Sequence, residues 1–141
     1  MKGRYFLDTN VLVYADDLDA GARGVRAREI VEEALVSGSG VVSTQVLQEF
    51  SVISTEKLGV AAESARRKLE LLSALEVVPV RVDLILGAID LHRLHHLSFW
   101  DALIVKCAGA AGCERVLTED LQHGVVLDGV RVENPFATTA P

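Results

Sequence analysis

The segment Tyr5-Phe6-Leu7-Asp8-Thr9-Asn10-Val11-Leu12 decides the fold. Three large apolar residues in a row read as the end of a short buried strand over 4–7, and Asp8 closes it. A short helix over 10–15 follows at once, so the chain turns from strand to helix at a carboxylate. A carboxylate beside a buried strand is costly unless it is paired or holds a metal. Three more acids interrupt or end apolar stretches. Glu49 lies on the edge of a helical stripe between Val46 and Ile53, Asp101 stands between Phe99-Trp100 and Ala102-Leu103-Ile104-Val105, and Asp120 follows Val116-Leu117-Thr118.

Working outward, helical spacing covers 22–37, with Val25, Ile30, Val31, Ala34 and Leu35 apolar, and Gly38-Ser39-Gly40 breaks it. Val41-Val42-Ser43 reads as a second strand, and Thr44 is a candidate cap for a helix running to about Leu58. A further helix spans 61–75. Val77 to Val82 read as a strand that Pro79 places at an edge. Helices at 83–97 and 99–111 precede a strand over Arg115 to Thr118, and Asp128-Gly129 suits a hairpin between Val125-Val126-Leu127 and Val130-Arg131-Val132.

Strands alternating with helices predict a single α/β domain of three layers, a central and mostly parallel sheet flanked by helices. It is expected over residues 1–136, with 137–141 a loose tail. Such sheets bind ligands outside the carboxyl ends of their strands. Asp8 and Asp120 fall there, Glu49 lies early in the helix after the second strand, and Asp101 joins them if its helix starts at that rim.

Each acid has a structural use when taken singly. Asp8 suits a helix cap, Ser98-Phe99-Trp100-Asp101 is a capping pattern, Glu119-Asp120 suits an exposed turn, and Glu49 sits within reach of solvent. All four on one rim point instead to a shared site whose natural partner is a divalent cation.

The chain of 141 residues is half hydrophobic but only 5% aromatic, so its core is aliphatic. No apolar run approaches a membrane span, and the opening Met-Lys-Gly-Arg lacks a signal peptide's apolar region. Cys107 and Cys113 make no disulfide framework, and a cytoplasmic protein is expected. The net charge of −6 opposes binding of nucleic acid by overall attraction, yet two bound divalent cations would bring it to about −2. Basic groups at Arg23, Arg26 and Arg28, at Arg66, Arg67 and Lys68, and at Arg93 read as solvated helix faces. His92, His95 and His96 are spaced for a helix face but lack the carboxylate or cysteine that would complete a zinc site, and His123 is a rim residue.

Phe6-Leu7-Asp8-Thr9-Asn10-Val11-Leu12, Leu47-Gln48-Glu49-Phe50, Phe99-Trp100-Asp101-Ala102-Leu103-Ile104 and Leu117-Thr118-Glu119-Asp120-Leu121 resemble the acidic motifs of PIN domains, in order and nearly end to end. The lack of an appended domain is similar to VapC toxins of toxin–antitoxin pairs. The resemblance implies a magnesium- or manganese-dependent ribonuclease, inhibited by a VapB-type antitoxin and dimerising with a second copy of itself. It carries metal binding onto Asp8, Glu49, Asp101 and Asp120, taking Asp120 from the doublet, and places the Thr118 hydroxyl near the metals. Hard cations held by carboxylates neutralise charge on both nucleophile and leaving group when a phosphodiester is displaced in line. Two other readings compete. A phosphoacceptor receiver domain needs a lysine after a late strand, whereas Lys106 lies in an apolar helix and no lysine follows it. An inactive PIN scaffold serving as a binding module would be expected to have lost an acid, and all four are kept.

Overall fold

The computed structural model of the protein describes residues 3–137. The described residues form six strands and six helices, the helices falling in pairs between strands: β1 (Tyr5–Leu7), α1 (Thr9–Asp16), α2 (Ala22–Ser37), β2 (Gly40–Ser43), α3 (Thr44–Glu56), α4 (Ala62–Leu72), β3 (Glu76–Val78), α5 (Val82–His95), α6 (Phe99–Ala110), β4 (Arg115–Leu117), β5 (Val126–Leu127) and β6 (Val130–Glu133). They form one sheet in the order β3-β2-β1-β4-β6-β5. Every neighbouring pair is parallel except the β5–β6 hairpin. The α/β layering expected from the alternation is what forms. The expected tail begins at Ala137, and residues 138–141 lie outside the described residues.

The central strand is the one that decided the reading. Tyr5, Phe6 and Leu7 are fully buried although successive side chains point to opposite faces, so both faces of the sheet are covered. α1 packs with α2 and α3, while α5 packs with α6, which lies against β2, β4 and β6. The core between these layers is aliphatic, drawing on Val11, Leu12, Ile30, Val41, Val42, Val46, Ile104, Val105, Val116 and Val132 around Phe6 and Phe50.

Several local expectations shift. Ser43, not Thr44, caps α3, its hydroxyl accepting from Val46 N at 3.2 Å. Thr44 instead accepts from Val80 N, which ends β3 at Val78 and frees Val82 to begin α5. β3 is an edge strand, as Pro79 implied. Val25 is 52% exposed, because α2 buries the Ala27, Ile30, Val31 and Ala34 stripe instead.

α2 and β2 meet at unusually close range. A Cβ on Gly40 would stand 2.5 Å from Ala34 Cβ and 3.3 Å from Ala34 Cα, both on rigid elements. Gly40→Ala should therefore cost about 1–3 kcal/mol by overpacking. Urea unfolding checks this, and an unchanged midpoint would show that the two elements can part freely.

Candidate active site

β1 is the point from which the chain winds both ways: β2 and β3 lie to one side, β4, β6 and β5 to the other. The crevice at the carboxyl ends of β1 and β4 is thus a topological switch point, where open α/β sheets place ligands. Asp8 leaves β1 there, its backbone N–H still donating to Leu117 O of β4 at 3.1 Å. Its carboxylate caps α1, accepting from Thr9 N at 2.7 Å. Capping and facing the crevice are compatible, since the cap engages only Oδ1.

Asp8 Oδ2 is held by Thr118. The Thr118 hydroxyl, fully buried just past β4, donates to it at 2.7 Å and accepts from Asp120 N at 3.1 Å. Asn10 Nδ2 lies 3.4 Å from Asp8 Oδ2, 3.3 Å from Thr118 Oγ1 and 3.2 Å from Asp120 Oδ2. One amide thus ties together residues about 110 positions apart.

The four acids expected from the sequence line a single cleft of about 290 Å³, with Thr9, Asn10, Val13, Tyr14, Gln45, Ile53, Lys57, Trp100 and Ile104. They are buried to different degrees. Asp8 is buried at 6% exposure and Asp101 is half-buried, but Glu49 and Asp120 are exposed at the rim. Glu49 stands on α3 one turn after the buried Gln45, whose Nε2 donates to Glu49 Oε1 at 2.5 Å. Asp101 occupies the first turn of α6, where Ser98 Oγ accepts from its backbone N–H at 3.1 Å.

The doublet Glu119-Asp120 divides cleanly. Tyr14 and Arg23 hold the Glu119 carboxylate, Arg23 Nε at 3.3 Å, while Asp120 lines the cleft. Thr118 does not line the cleft but stands behind Asp8, so it acts through that carboxylate.

Desolvation dominates the electrostatics. Burial pushes the Asp8 carboxyl up to about 6, the nearby charges of Asp120 and Asp101 raise it too, and the hydrogen bonds from Thr118 and Thr9 pull it partly back. Asp101 is raised by burial first and by Asp120 as well, with Ser98 opposing. Asp8 and Asp101 are thus disfavoured in their charged forms, by burial first and by acidic neighbours second, and Lys57 is the basic residue lining the cleft.

The donor set suits a hard cation: carboxylates and amide oxygens, with no sulfur or imidazole in the lining. Asn10 Oδ1 and Gln45 Oε1 are buried without a hydrogen-bond partner. As the side chains stand, no three His, Cys, Asp or Glu residues grip one point among the described residues. Magnesium needs no such cage, since it keeps several waters and takes one or two carboxylates directly.

Asn10, Gln45, Lys57 and Trp100 are site residues that sequence reasoning missed. Asn10 left a signal in following Asp8 by two residues, and Gln45 in its spacing of four from Glu49 on one helix. The histidines stay outside the cleft. His92, His95 and His96 are exposed at the end of α5, and His123 Nδ1 accepts from Asn134 N at 2.9 Å.

Comparison with known proteins bears on the family and the fold. The PIN domain family matches residues 5–126. A toxin–antitoxin complex from Klebsiella pneumoniae superposes with a TM-score of 0.70 at 21% identity, covering 95% of this chain and 99% of that one. VapBC2 of Rickettsia felis, solved on a DNA fragment from its promoter, gives 0.66 at 22% identity, covering 92% and 97%. VapC20 of Mycobacterium tuberculosis, a toxin that cleaves the sarcin–ricin loop, gives 0.65 at 22% identity, covering 79% and 86%. No curated protein matches the chain significantly. The strand order also disposes of the receiver reading. A receiver sheet runs 2-1-3-4-5 with its third strand beside the first, whereas here β3 is at the edge and β4 lies beside β1.

Proposed function

The chain belongs to the PIN domain family, and from that premise we propose that it is a magnesium- or manganese-dependent endoribonuclease, the toxin of a VapBC-type pair. The observation that carries the reading is the convergence of Asp8, Glu49, Asp101 and Asp120 on one cleft, with the innermost carboxyl pushed up to about 6 by burial and its acidic neighbours. Such a site gains most from added positive charge. When bound there, divalent cations would neutralise the charge that develops on both sides of a phosphodiester during in-line hydrolysis.

The side chains divide the remaining work. Asp8 and Asp101 would hold the cations from the floor, and Glu49 and Asp120 would complete the carboxylate set from the rim. Thr118 and Asn10 fix the Asp8 and Asp120 carboxylates. Lys57 meets a phosphate of the incoming strand, supplying local attraction that the net charge of −6 does not. Substrate RNA and a VapB-type antitoxin are the proposed partners, in keeping with the toxin–antitoxin complexes of the same fold. A homodimer is also proposed, for Val82, Leu86 and Ile89 recur at four and three residues on α5 and stand exposed. Among the described residues no helix is long and apolar enough to cross a membrane, and a cytoplasmic site of action is part of the proposal.

Purified protein should cleave single-stranded or looped RNA in magnesium or manganese and stop when EDTA is added. Cleavage that continues unchanged in EDTA would remove the metal from the reading. Intact RNA under every metal condition, from folded protein, would favour a binding module on a PIN scaffold.

A further inference from the structure

Next to the acid cleft, Gln45, Gln48, Glu49 and Trp100 enclose a second hollow of about 280 Å³. Gln45, Glu49 and Trp100 line both spaces, so whatever enters one touches the other. Trp100 is 62% exposed, although Phe99 packs against it edge-on, with ring centroids 5.1 Å apart. An indole anchored at one side and bare at the other offers a flat apolar face at little entropic cost.

The hollow also holds a polar demand. Gln45 is 6% exposed, and its Oε1 is buried with no hydrogen-bond partner. Its Nε2 is already committed to Glu49, which fixes the amide with its oxygen as the free acceptor. A buried carbonyl without a donor is a costly arrangement that a ligand N–H would relieve. Gln48, exposed one helical turn along, adds a second amide able to donate and accept.

We propose that this hollow receives one unpaired nucleobase of the nucleotide flanking the scissile phosphate. Trp100 stacks on the face of the base, the Gln45 side chain turns to bring its buried Oε1 to an N–H of the base edge, and Gln48 contacts the remaining edge. The inference rests on the nuclease reading of the neighbouring cleft and adds the feature of the substrate that sets its register. A base in a duplex has both its face and its pairing edge occupied, so the hollow selects single strands and loops. An apolar peptide side chain would fit the indole but leave the Gln45 carbonyl unrelieved, which is why a base is favoured.

Trp100 is the sole tryptophan in the sequence, so tryptophan fluorescence reports on the hollow and the cleft that it borders. The probe is an octanucleotide of mixed sequence with uncharged methylphosphonate linkages, which neither the acids repel nor the enzyme is expected to cleave. Its control is an abasic strand of the same backbone. Saturable quenching by the base-bearing strand and none by the abasic strand is expected. Gln45→Met, close in shape but without the acceptor, should weaken the quenching, and circular dichroism should show the variant folded. In a parallel assay with magnesium and an all-phosphate RNA octamer, Trp100→Leu should raise KM on the order of tenfold, the scale of one lost base stack, with kcat kept. Trp100→Phe should restore much of that loss. Equal quenching by both strands, or none by either, overturns the base site. If the RNA octamer is nevertheless cleaved, the nuclease reading survives alone; quenching without cleavage leaves the base site standing and removes the nuclease.

Discussion

Asp8→Asn and Asp101→Asn should each lower kcat for RNA cleavage on the order of a thousandfold, the scale on which one preorganised electrostatic group is felt. The ranking of variants is the more searching part of this prediction. Asp8 and Asp101 are the buried and half-buried acids, so their positions are set by packing, while Glu49 and Asp120 stand exposed at the rim. Loss of either rim acid should cost less, because solvent and a swing of neighbouring side chains can substitute. Thr118→Val keeps the shape but deletes the hydroxyl that donates to Asp8 Oδ2 at 2.7 Å. It should cost roughly 10–100-fold, as loss of an outer partner of a metal ligand does. Glu119→Gln should leave cleavage nearly unchanged, since Tyr14 and Arg23 engage that carboxylate away from the cleft. Equal losses at Glu119 and Asp120 would mean that the doublet has been divided wrongly.

The second large effect is on stability in the absence of metal. Asp8 is pushed up to about 6 in the folded protein, against about 3.9 for a free aspartate. Between those values the native state holds the proton more tightly than the unfolded chain, so stability falls as pH rises through 6 and is regained as pH falls. The full span is roughly 3 kcal/mol, with about half recovered by pH 5. In EDTA, wild type should therefore gain on Asp8→Asn as pH drops from 7 to 5, by several degrees in melting temperature. At pH 7 the variant should melt no lower than wild type, because asparagine carries no charge to desolvate. Magnesium should reverse the ranking at pH 7 by stabilising the native wild-type protein through mass action. A difference between the two proteins that ignores both pH and magnesium would show that Asp8 is only a helix cap.

Much of the fold was legible because its signals are local. Tyr5-Phe6-Leu7 could only be a strand buried on both faces, Gly38 could end α2 in a left-handed turn at φ 74°, and Asp128-Gly129 could close a two-residue hairpin with both φ values positive. The boundaries that moved were set by partners distant in the chain. Thr44 left the role of cap because Val80 N, 36 residues away, needed its hydroxyl. Val25 lost its place in the core to a stripe chosen by what α2 packs against.

The site divides in the same way. The acids announced themselves by interrupting apolar runs, and all four reached one cleft. Their burial was not legible, because exposure at a rim depends on how far neighbouring helices project. Asn10 and Gln45 were overlooked because their significance lies in bonds and vacancies that exist only after folding. Asn10 matters through Thr118 and Asp120, and Gln45 through an oxygen left without a donor.

The pairing of β1 with β4 has a consequence for synthesis. Thr118 reaches Asp8 across 110 residues, and the central strand has a partner on only one side until Arg115–Leu117 arrives. A ribosome-bound chain lacking those residues has neither β4 beside β1 nor Asp120 in the cleft. Contacts of such long separation close late, after the entropy of the intervening loop has been met. Fragments that end before β4 therefore carry Asp8, Glu49 and Asp101 without Asp120 and without the Thr118 hydroxyl that holds Asp8. The proposed RNA-cleaving site is thus incomplete until translation has passed β4.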